Sequence, residues 1–160
     1  MTFKYQSVLT IAGSDSGGGA GIQADIKTIS ALGCFAACAI TAVTVQDTIG
    51  VTGIHSVPAE IVRDQIKAVM NDIAPDVIKI GMINTKELAI IIAETLRQYP
   101  AVTVIFDPVM VAASGDVLIE ADTVAMLKQY LFPLAGVVTP NLDEAAILSG
   151  MKICNLADMK

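Results

Sequence analysis

The feature of the sequence that most constrains its fold is a regular alternation of short β-branched runs with longer segments that carry a helical apolar stripe. The β-branched runs are almost wholly apolar and are bounded by Gly, Pro, Asp or Asn: Val8–Ala12, Ala36–Thr44, Val77–Ile80, Val102–Phe106 and Val137–Thr139. Strands that are apolar on both faces are typical of parallel sheets covered by helices on both sides. The alternation therefore predicts an α/β fold with a mostly parallel central sheet.

Helical periodicity fills the intervals between these runs. The stripes consist of Ile22, Ile26 and Ile29; Val62, Ile66, Val69 and Ile73; Leu88, Ile92, Thr95 and Tyr99; Val124, Leu127 and Leu131; and a short fifth segment, Leu142–Ser149. Gly33 is predicted to stop the first helix. The Asn84–Glu87 spacing predicts a capping box at the start of the third. Thr48–Val57 is strand-like but follows directly on another strand, which predicts an edge or flap element.

Composition limits the class of protein. The 160 residues are predicted to form a single domain, and with 54% hydrophobic against 16% charged residues the chain is not intrinsically disordered. The net charge of −6 argues against nucleic acids and anionic membranes as partners. The cysteines, Cys34, Cys38 and Cys154, have no CxxC spacing, and with the single His55 they are too few for a zinc site. Reduced thiols and the absence of a secretory signal pattern predict a cytoplasmic protein.

Polar residues and glycines gather just after the predicted strands. Ligands of open parallel sheets bind beyond the carboxyl ends of the strands, so these positions are the candidate site. The loop 13–21 has five glycines in nine positions, more than a tight turn needs, and its N–H groups could receive an anion. It matches neither common nucleotide fingerprint, because Gly19 stands where a P-loop needs Lys and Ile22 where GxGxxG needs Gly.

The other candidates each have a structural alternative. Gln46 ends a strand, and its amide could pair with the edge of a heterocycle. Met82 could cover a ring or simply fill the core. Asp107 could cap a turn or hold Mg²⁺. For Asn141 and Glu144 the spacing alone favours a capping box.

Five ordered motifs resemble one enzyme family. AGSDSGGGAGIQAD over 12–25, TAVTVQ over 41–46, KIGM over 79–82, DPVM over 107–110 and TPNLDE over 139–144 are similar to blocks of the hydroxymethylpyrimidine/phosphomethylpyrimidine kinases. The resemblance implies a three-layer α/β/α ribokinase-like fold. It implies two successive phosphorylations of 4-amino-5-hydroxymethyl-2-methylpyrimidine with ATP and Mg²⁺ in thiamine biosynthesis.

The same resemblance assigns the site residues. It puts the glycine-rich loop on the pyrimidine side, and the substrate-binding residues it implies are Gly13, Ala20, Asp25, Gln46, Met82 and Val109. Asn141 and Glu144 would serve the nucleotide phosphates, and Asp107 and Glu144 the metal. Ala113 replaces a residue that is polar or basic in some relatives.

Family chains continue well beyond this one, and the resemblance places their general base after the position of Lys160. Cys154 does not lie in a sequence like that motif. We therefore expect an N-terminal portion of a kinase, inactive alone and homodimeric when complete. Two alternatives stay open: a pyridoxal kinase, and a non-catalytic pyrimidine-binding module if the chain is naturally complete.

Overall fold

A computed structural model describes residues 5–111, 118–119, 122–153 and 158. Its strands are β1 (Ser7–Asp15), β2 (Phe35–Gln46), β3 (Val51–Ser56), β4 (Val77–Ile80), β5 (Thr103–Phe106) and β6 (Val137–Val138). Its helices are α1 (Gly21–Ala31), α2 (Ala59–Asp72), α3 (Lys86–Leu96), α4 (Thr123–Met126) and α5 (Leu142–Ser149). Every predicted strand and helical segment is present, with ends shifted by a few residues.

The six strands form one sheet in the order β3-β2-β1-β4-β5-β6. All neighbours are parallel except β3, which pairs antiparallel with β2 at the edge, as predicted for Thr48–Val57. From β1 the chain turns through α1 to β2 on one side, and from β4 it turns through α3 to β5 on the other. Right-handed crossovers in opposite directions place α1 and α3 on opposite faces and make β1/β4 the topological switch point.

The two faces of the sheet differ in composition. Leu9, Ile11, Ile78 and Ile80 alternate onto the face that α2 and α3 cover, and all four are almost completely buried in the main core. Their strand neighbours, which include Lys79, point to the α1 side. The sheet thus has one apolar face and one face with polar groups.

Two predicted capping boxes have different outcomes. Asn141 and Glu144 form theirs at α5: the Glu144 N–H donates to Asn141 Oδ1 at 2.9 Å, and the Asn141 N–H donates to Glu144 Oε2 at 2.8 Å. The Asn84–Glu87 box is wrong, because α3 begins one residue later. Its N-cap is Thr85, whose hydroxyl accepts from the Leu88 N–H at 3.3 Å.

The helix stop at Gly33, the end of the fourth helical segment and two of the cysteines can be compared with the predictions. Gly33 follows α1 with a φ of +77°, as a helix stop requires. The segment after α4 continues as a π-helical turn, Leu127–Leu131, and a 3₁₀ turn, Phe132–Leu134. Cys34 and Cys38 are free and half-buried, and burial raises the pKa of the Cys38 thiol.

In the described part of the chain, no helix is both long and apolar enough to cross a bilayer. Ala113 and Cys154 lie outside the described residues.

Candidate active site

A cavity of about 340 Å³ opens at the carboxyl end of the sheet, over the switch point between β1 and β4. It brings together seven residues that the sequence predicts for the site: Gly13, Ala20, Asp25, Gln46, Met82, Asp107 and Val109. They come from the ends of β1, β2, β4 and β5, from the glycine-rich loop and from α1. Residues that are up to 96 positions apart in the chain (Gly13 to Val109) therefore line one cavity of a size that suits a small molecule.

The glycine-rich loop is folded around the carboxylate of Asp15. Asp15 Oδ1 accepts from the Gly17 N–H at 2.7 Å, and Oδ2 accepts from the Gly19 and Ala20 N–H groups at 2.9 and 2.8 Å. Asp15 is only 5% exposed. Since the chain's own carboxylate takes these three donors, they are not available to a phosphate. The prediction that the loop receives an anion is therefore wrong for the N–H groups of Gly17, Gly19 and Ala20. The loop is better suited to contact an uncharged part of a ligand.

Close backbone approach explains one glycine of this loop. Gly21 has a φ of +56°, and a Cβ there would lie 2.2 Å from the Gly13 carbonyl oxygen, which no side chain tolerates. At Gly13 a Cβ would lie 2.7 Å from Cε of Met82, a flexible side chain that lines the cavity. Gly21 therefore fixes the path of the loop, while Gly13 leaves space beside Met82.

Gln46 is held at the end of β2 by Ser16. The Ser16 hydroxyl donates to the Gln46 carbonyl at 2.6 Å and accepts from the Gln46 N–H at 2.9 Å, which ties the glycine-rich loop to β2. The Thr44 hydroxyl lies 3.1 Å from both Gln46 Oε1 and the Ser14 carbonyl oxygen, and its one proton can go to either acceptor. The backbone of Gln46 is thus fixed before any ligand binds, and its half-buried amide lies beside the Thr44 hydroxyl.

A chain of polar contacts crosses the α1 side of the sheet beneath the cavity. The Thr10 hydroxyl donates to Asp25 Oδ2 at 2.5 Å. Lys79 Nζ lies 3.2 Å from the same oxygen and 3.5 Å from Asp107 Oδ2. The three charged side chains are 18–34% exposed, so solvent screens them only in part. One ammonium therefore stands between the carboxylates of α1 and of the β5 end.

Apolar side chains line the same cavity as these polar groups. Met82 is 7% exposed and packs with Ala42 and Leu118, and Val109 packs against the same small cluster. An apolar surface of this kind suits the face of an aromatic ring, whose edge the Gln46 amide and Asp25 could then meet. The cavity thus combines an apolar wall with polar groups at its edge.

Asn141 and Glu144 do not line this cavity. Their side chains form the capping box of α5, and Glu144 is 4% exposed. Their assignment to phosphate and metal stays a prediction from the resemblance. Within the described residues no group of three or more His, Cys, Asp or Glu side chains could hold a metal. Mg²⁺ with a bound nucleotide needs fewer, because phosphate oxygens and water complete its shell, and Asp107 at the rim fits that role.

Three residues important to the geometry were missed by sequence reasoning. Asp15 and Ser16 lie among the glycines of the loop, and Lys79 is the first residue of the KIGM motif; the sequence patterns predict no site role for any of them. A signal for Lys79 exists: a charged residue in the middle of an otherwise apolar strand must reach a partner or a cavity.

A cavity with an apolar wall and a few polar groups, at the switch point of a doubly wound sheet, defines a class, the α/β enzymes that act on small molecules. Comparison with known proteins narrows it. The phosphomethylpyrimidine kinase family model matches residues 15–160, so the chain belongs to that family. It is 55% identical over 145 residues to the hydroxymethylpyrimidine/phosphomethylpyrimidine kinase of Rhizobium meliloti, covering 91% of this chain and 54% of that one. It is 49% identical over 152 residues to that of Bacillus subtilis, covering 95% and 56%.

Solved structures agree on the fold. The phosphomethylpyrimidine kinase of Clostridium difficile aligns with a TM-score of 0.90 and 46% identity, covering 96% of this chain and 67% of that one. The pyridoxal kinase of Staphylococcus aureus, in complex with pyridoxal, aligns with a TM-score of 0.86 and 36% identity, covering 98% and 58%. The predicted ribokinase-like α/β/α fold is confirmed. The chain spans about half the length of the curated kinases above.

Proposed function

We propose that this chain supplies the pyrimidine site of a kinase of thiamine biosynthesis. The kinase transfers a phosphoryl group from ATP to the hydroxyl of 4-amino-5-hydroxymethyl-2-methylpyrimidine, and then a second one to the monophosphate. One observation carries the proposal: the six side chains and backbone positions expected at the pyrimidine all line a single cavity. Family membership and the curated relatives' names support the reaction class.

The chemistry of the cavity suits an uncharged ring with a polar edge. The Gln46 amide offers one donor and one acceptor, which matches an aminopyrimidine edge. The apolar wall at Met82 and Val109 covers the ring face. Asp25 and Asp107 both line the cavity. Asp25 would contact the polar substituents of the ring, and Asp107 would lie near the place where the hydroxymethyl group meets the nucleotide.

ATP and Mg²⁺ are the proposed co-substrate and metal. Structures of the S. aureus pyridoxal kinase contain AMP-PCP or ADP, which supports a nucleotide site in this fold. When bound, Mg²⁺ would neutralise charge on the transferring phosphoryl group. Asp107 and Glu144 are the proposed carboxylates for it, and Asn141 a proposed contact for the nucleotide.

Pyridoxal phosphorylation is the second candidate function. The likeness to pyridoxal kinase structures at 36% identity over 98% of this chain favours it specifically. Both substrates are six-membered aromatic heterocycles that bear a hydroxymethyl group, so the same cavity could accept either ring.

A coupled ADP-release assay on the full-length protein distinguishes the two. We expect turnover with hydroxymethylpyrimidine and its monophosphate to exceed turnover with pyridoxal in kcat/KM. A preference for pyridoxal would favour the second candidate, and pyrimidine binding without turnover would favour a binding module. The cytoplasmic location, the homodimer and the absence of nucleic-acid and membrane partners stay predictions. Fractionation and light scattering test the first two.

A further inference from the structure

Lys79 is the one cation among the described residues that line the cavity. Carboxylates of Asp15, Asp25 and Asp107 line it too, and that of Asp15 is already bound to three N–H groups of the loop. The other two both contact the Lys79 ammonium. The positive charge of Lys79 therefore partly offsets the negative charges of Asp25 and Asp107. If the proposed function holds, the phosphoryl group is transferred in this part of the cavity.

The two contacts of Lys79 are unequal. Asp25 Oδ2 lies nearer, at 3.2 Å, and also accepts from the Thr10 hydroxyl. Thr10 and Lys79 are direct neighbours across β1 and β4, so the sheet itself fixes the spacing of these two donors. With Oδ2 held from two sides, the rotation of the Asp25 carboxylate is restricted. Asp107 is farther from Lys79, at 3.5 Å, and more exposed, at 34%.

Gly81 provides the space that this arrangement requires. Its ideal Cβ position would lie 3.0 Å from Lys79 Nζ and 3.0 Å from Cβ of Ala12. Any larger residue would press on the ammonium or on β1. The spacing Lys-x-Gly at the end of β4 thus has a physical reason, which is to seat the lysine head group beside the strand end.

We propose that Lys79 is a positioning residue that couples the two ends of the site. It holds the Asp25 carboxylate in the orientation that meets the pyrimidine substituents. Through its weaker contact it also offsets the negative charge of Asp107, so that two acids can share one wall while the phosphoryl group approaches. The inference rests on the proposed function and adds to it a residue that acts through its neighbours without touching the reacting atoms.

The test uses the full-length protein and the variants Lys79→Met, Lys79→Arg and Gly81→Ala. We expect Lys79→Met to raise the KM for hydroxymethylpyrimidine about tenfold and to lower kcat as well, because both carboxylates lose their partner. Lys79→Arg should recover part of the loss. Gly81→Ala keeps the lysine but displaces its head group, and should shift KM in the same direction.

Lys67→Met is the matched control, because it removes one half-buried lysine of α2 that does not line the cavity. A lysine that only stabilised the fold would reduce the active fraction and the apparent kcat and leave KM unchanged. That result, or a Lys79→Met variant with the kinetics of Lys67→Met, would overturn the proposal.

The proposal can also fail separately from the proposed function. If the unaltered protein does not use the pyrimidine, the proposed function fails, and urea unfolding of Lys79→Met, Asp25→Asn and the double variant then tests the coupling without a ligand. Non-additive losses of unfolding free energy support the Lys79–Asp25 contact. Strict additivity contradicts it.

Discussion

The two faces of the sheet are made from adjacent residues of the same strands, yet they have different roles. On β4, Ile78 and Ile80 are buried against α2 and α3, while Lys79 between them reaches the cavity on the α1 side. On β1, Leu9 and Ile11 are completely buried in the same core, while the Thr10 hydroxyl donates to Asp25. A shift of one residue thus separates hydrophobic stabilisation from ligand chemistry. Stability and binding should therefore respond to different substitutions.

The largest effect on stability is expected from the apolar face. Ile78 is 1% exposed, and Ile78→Ala leaves a cavity in the main core. We expect a loss of about 2–5 kcal/mol in the free energy of unfolding, measured in urea. The pyrimidine affinity of the molecules that remain folded should not change. A parallel loss of affinity would show that the two faces are coupled more tightly than their separate packing implies.

Asp15→Ala should mainly change the shape of the glycine-rich loop and, through it, the affinity for the pyrimidine. It removes the acceptor of three loop N–H groups, and we expect a loss of roughly 1–3 kcal/mol in pyrimidine binding free energy as the loop loses its fixed shape. Isothermal titration measures the affinity, and urea unfolding separates the loss of stability. Asp72→Ala, which alters an exposed carboxylate at the end of α2, is the control. Equal affinities for the two variants would show that the loop keeps its shape without Asp15.

Gln46→Leu should change binding with little effect on stability. The Ser16 contacts are to the Gln46 backbone and remain, and the Thr44 hydroxyl, which loses Gln46 Oε1, keeps the Ser14 carbonyl as an acceptor, so the main loss is the ring-edge contact. We expect pyrimidine binding to weaken by roughly 1–3 kcal/mol in isothermal titration. Unchanged affinity in a folded Gln46→Leu protein would contradict the assignment of Gln46 to the pyrimidine.

Sequence patterns predicted the apolar face of the fold more completely than the polar face. A strand buried on both sides has a continuous apolar run in its sequence, and each of the five predicted runs is a strand of the structure. The predicted bounds of β4 agree with the structure at both ends. The direction of a hydrogen bond within a loop leaves no such pattern. Asp15, among four glycines that follow it, gives no sign that its carboxylate binds the loop's own N–H groups.

The two Asn-x-x-Glu spacings show the same limit. Asn141 caps α5 as predicted, but at α3 the neighbouring Thr85 takes the N-cap position instead. Asn84 is then buried, with its Nδ2 donating to Ser56 Oγ at 2.5 Å. A tertiary contact across 28 positions decides between two adjacent cap residues, and local spacing cannot reveal it.

A smaller effect is expected at α5, where capping and the proposed phosphate role overlap. Asn141→Ala removes the acceptor of the Glu144 N–H and should cost about 1 kcal/mol of unfolding free energy.

Glu144→Gln keeps an acceptor for the Asn141 N–H but removes the charge, as Asp107→Asn does at the cavity. If Glu144 and Asp107 serve magnesium and phosphate, both amide variants lose kcat and keep their pyrimidine affinity without ATP. Unchanged kcat in Glu144→Gln would leave the residue as a cap alone.

The smallest effect is expected at the exposed turn between β2 and β3. Asp47 Oδ1 accepts from the Ile49 and Gly50 N–H groups at 2.8 and 3.0 Å, and these bonds hold the pKa of Asp47 below its usual value. A folded-state pKa below the unfolded one means that the stabilisation is present above the unfolded pKa of about 3.9 and is lost as the pH falls through the folded value.

The turn should therefore loosen only in acid. We expect the Ile49 and Gly50 amide proton resonances to move together as the pH falls below about 4, in an NMR titration. Asp47→Asn keeps an acceptor oxygen but cannot titrate, so its resonances should stay in place over the same range. If the amide shifts of Asp47→Asn follow those of the unaltered chain, another acid controls the turn. The hydrogen bonds of the Asp47 carboxylate would then follow from the geometry of the turn and would not be what holds the turn in place.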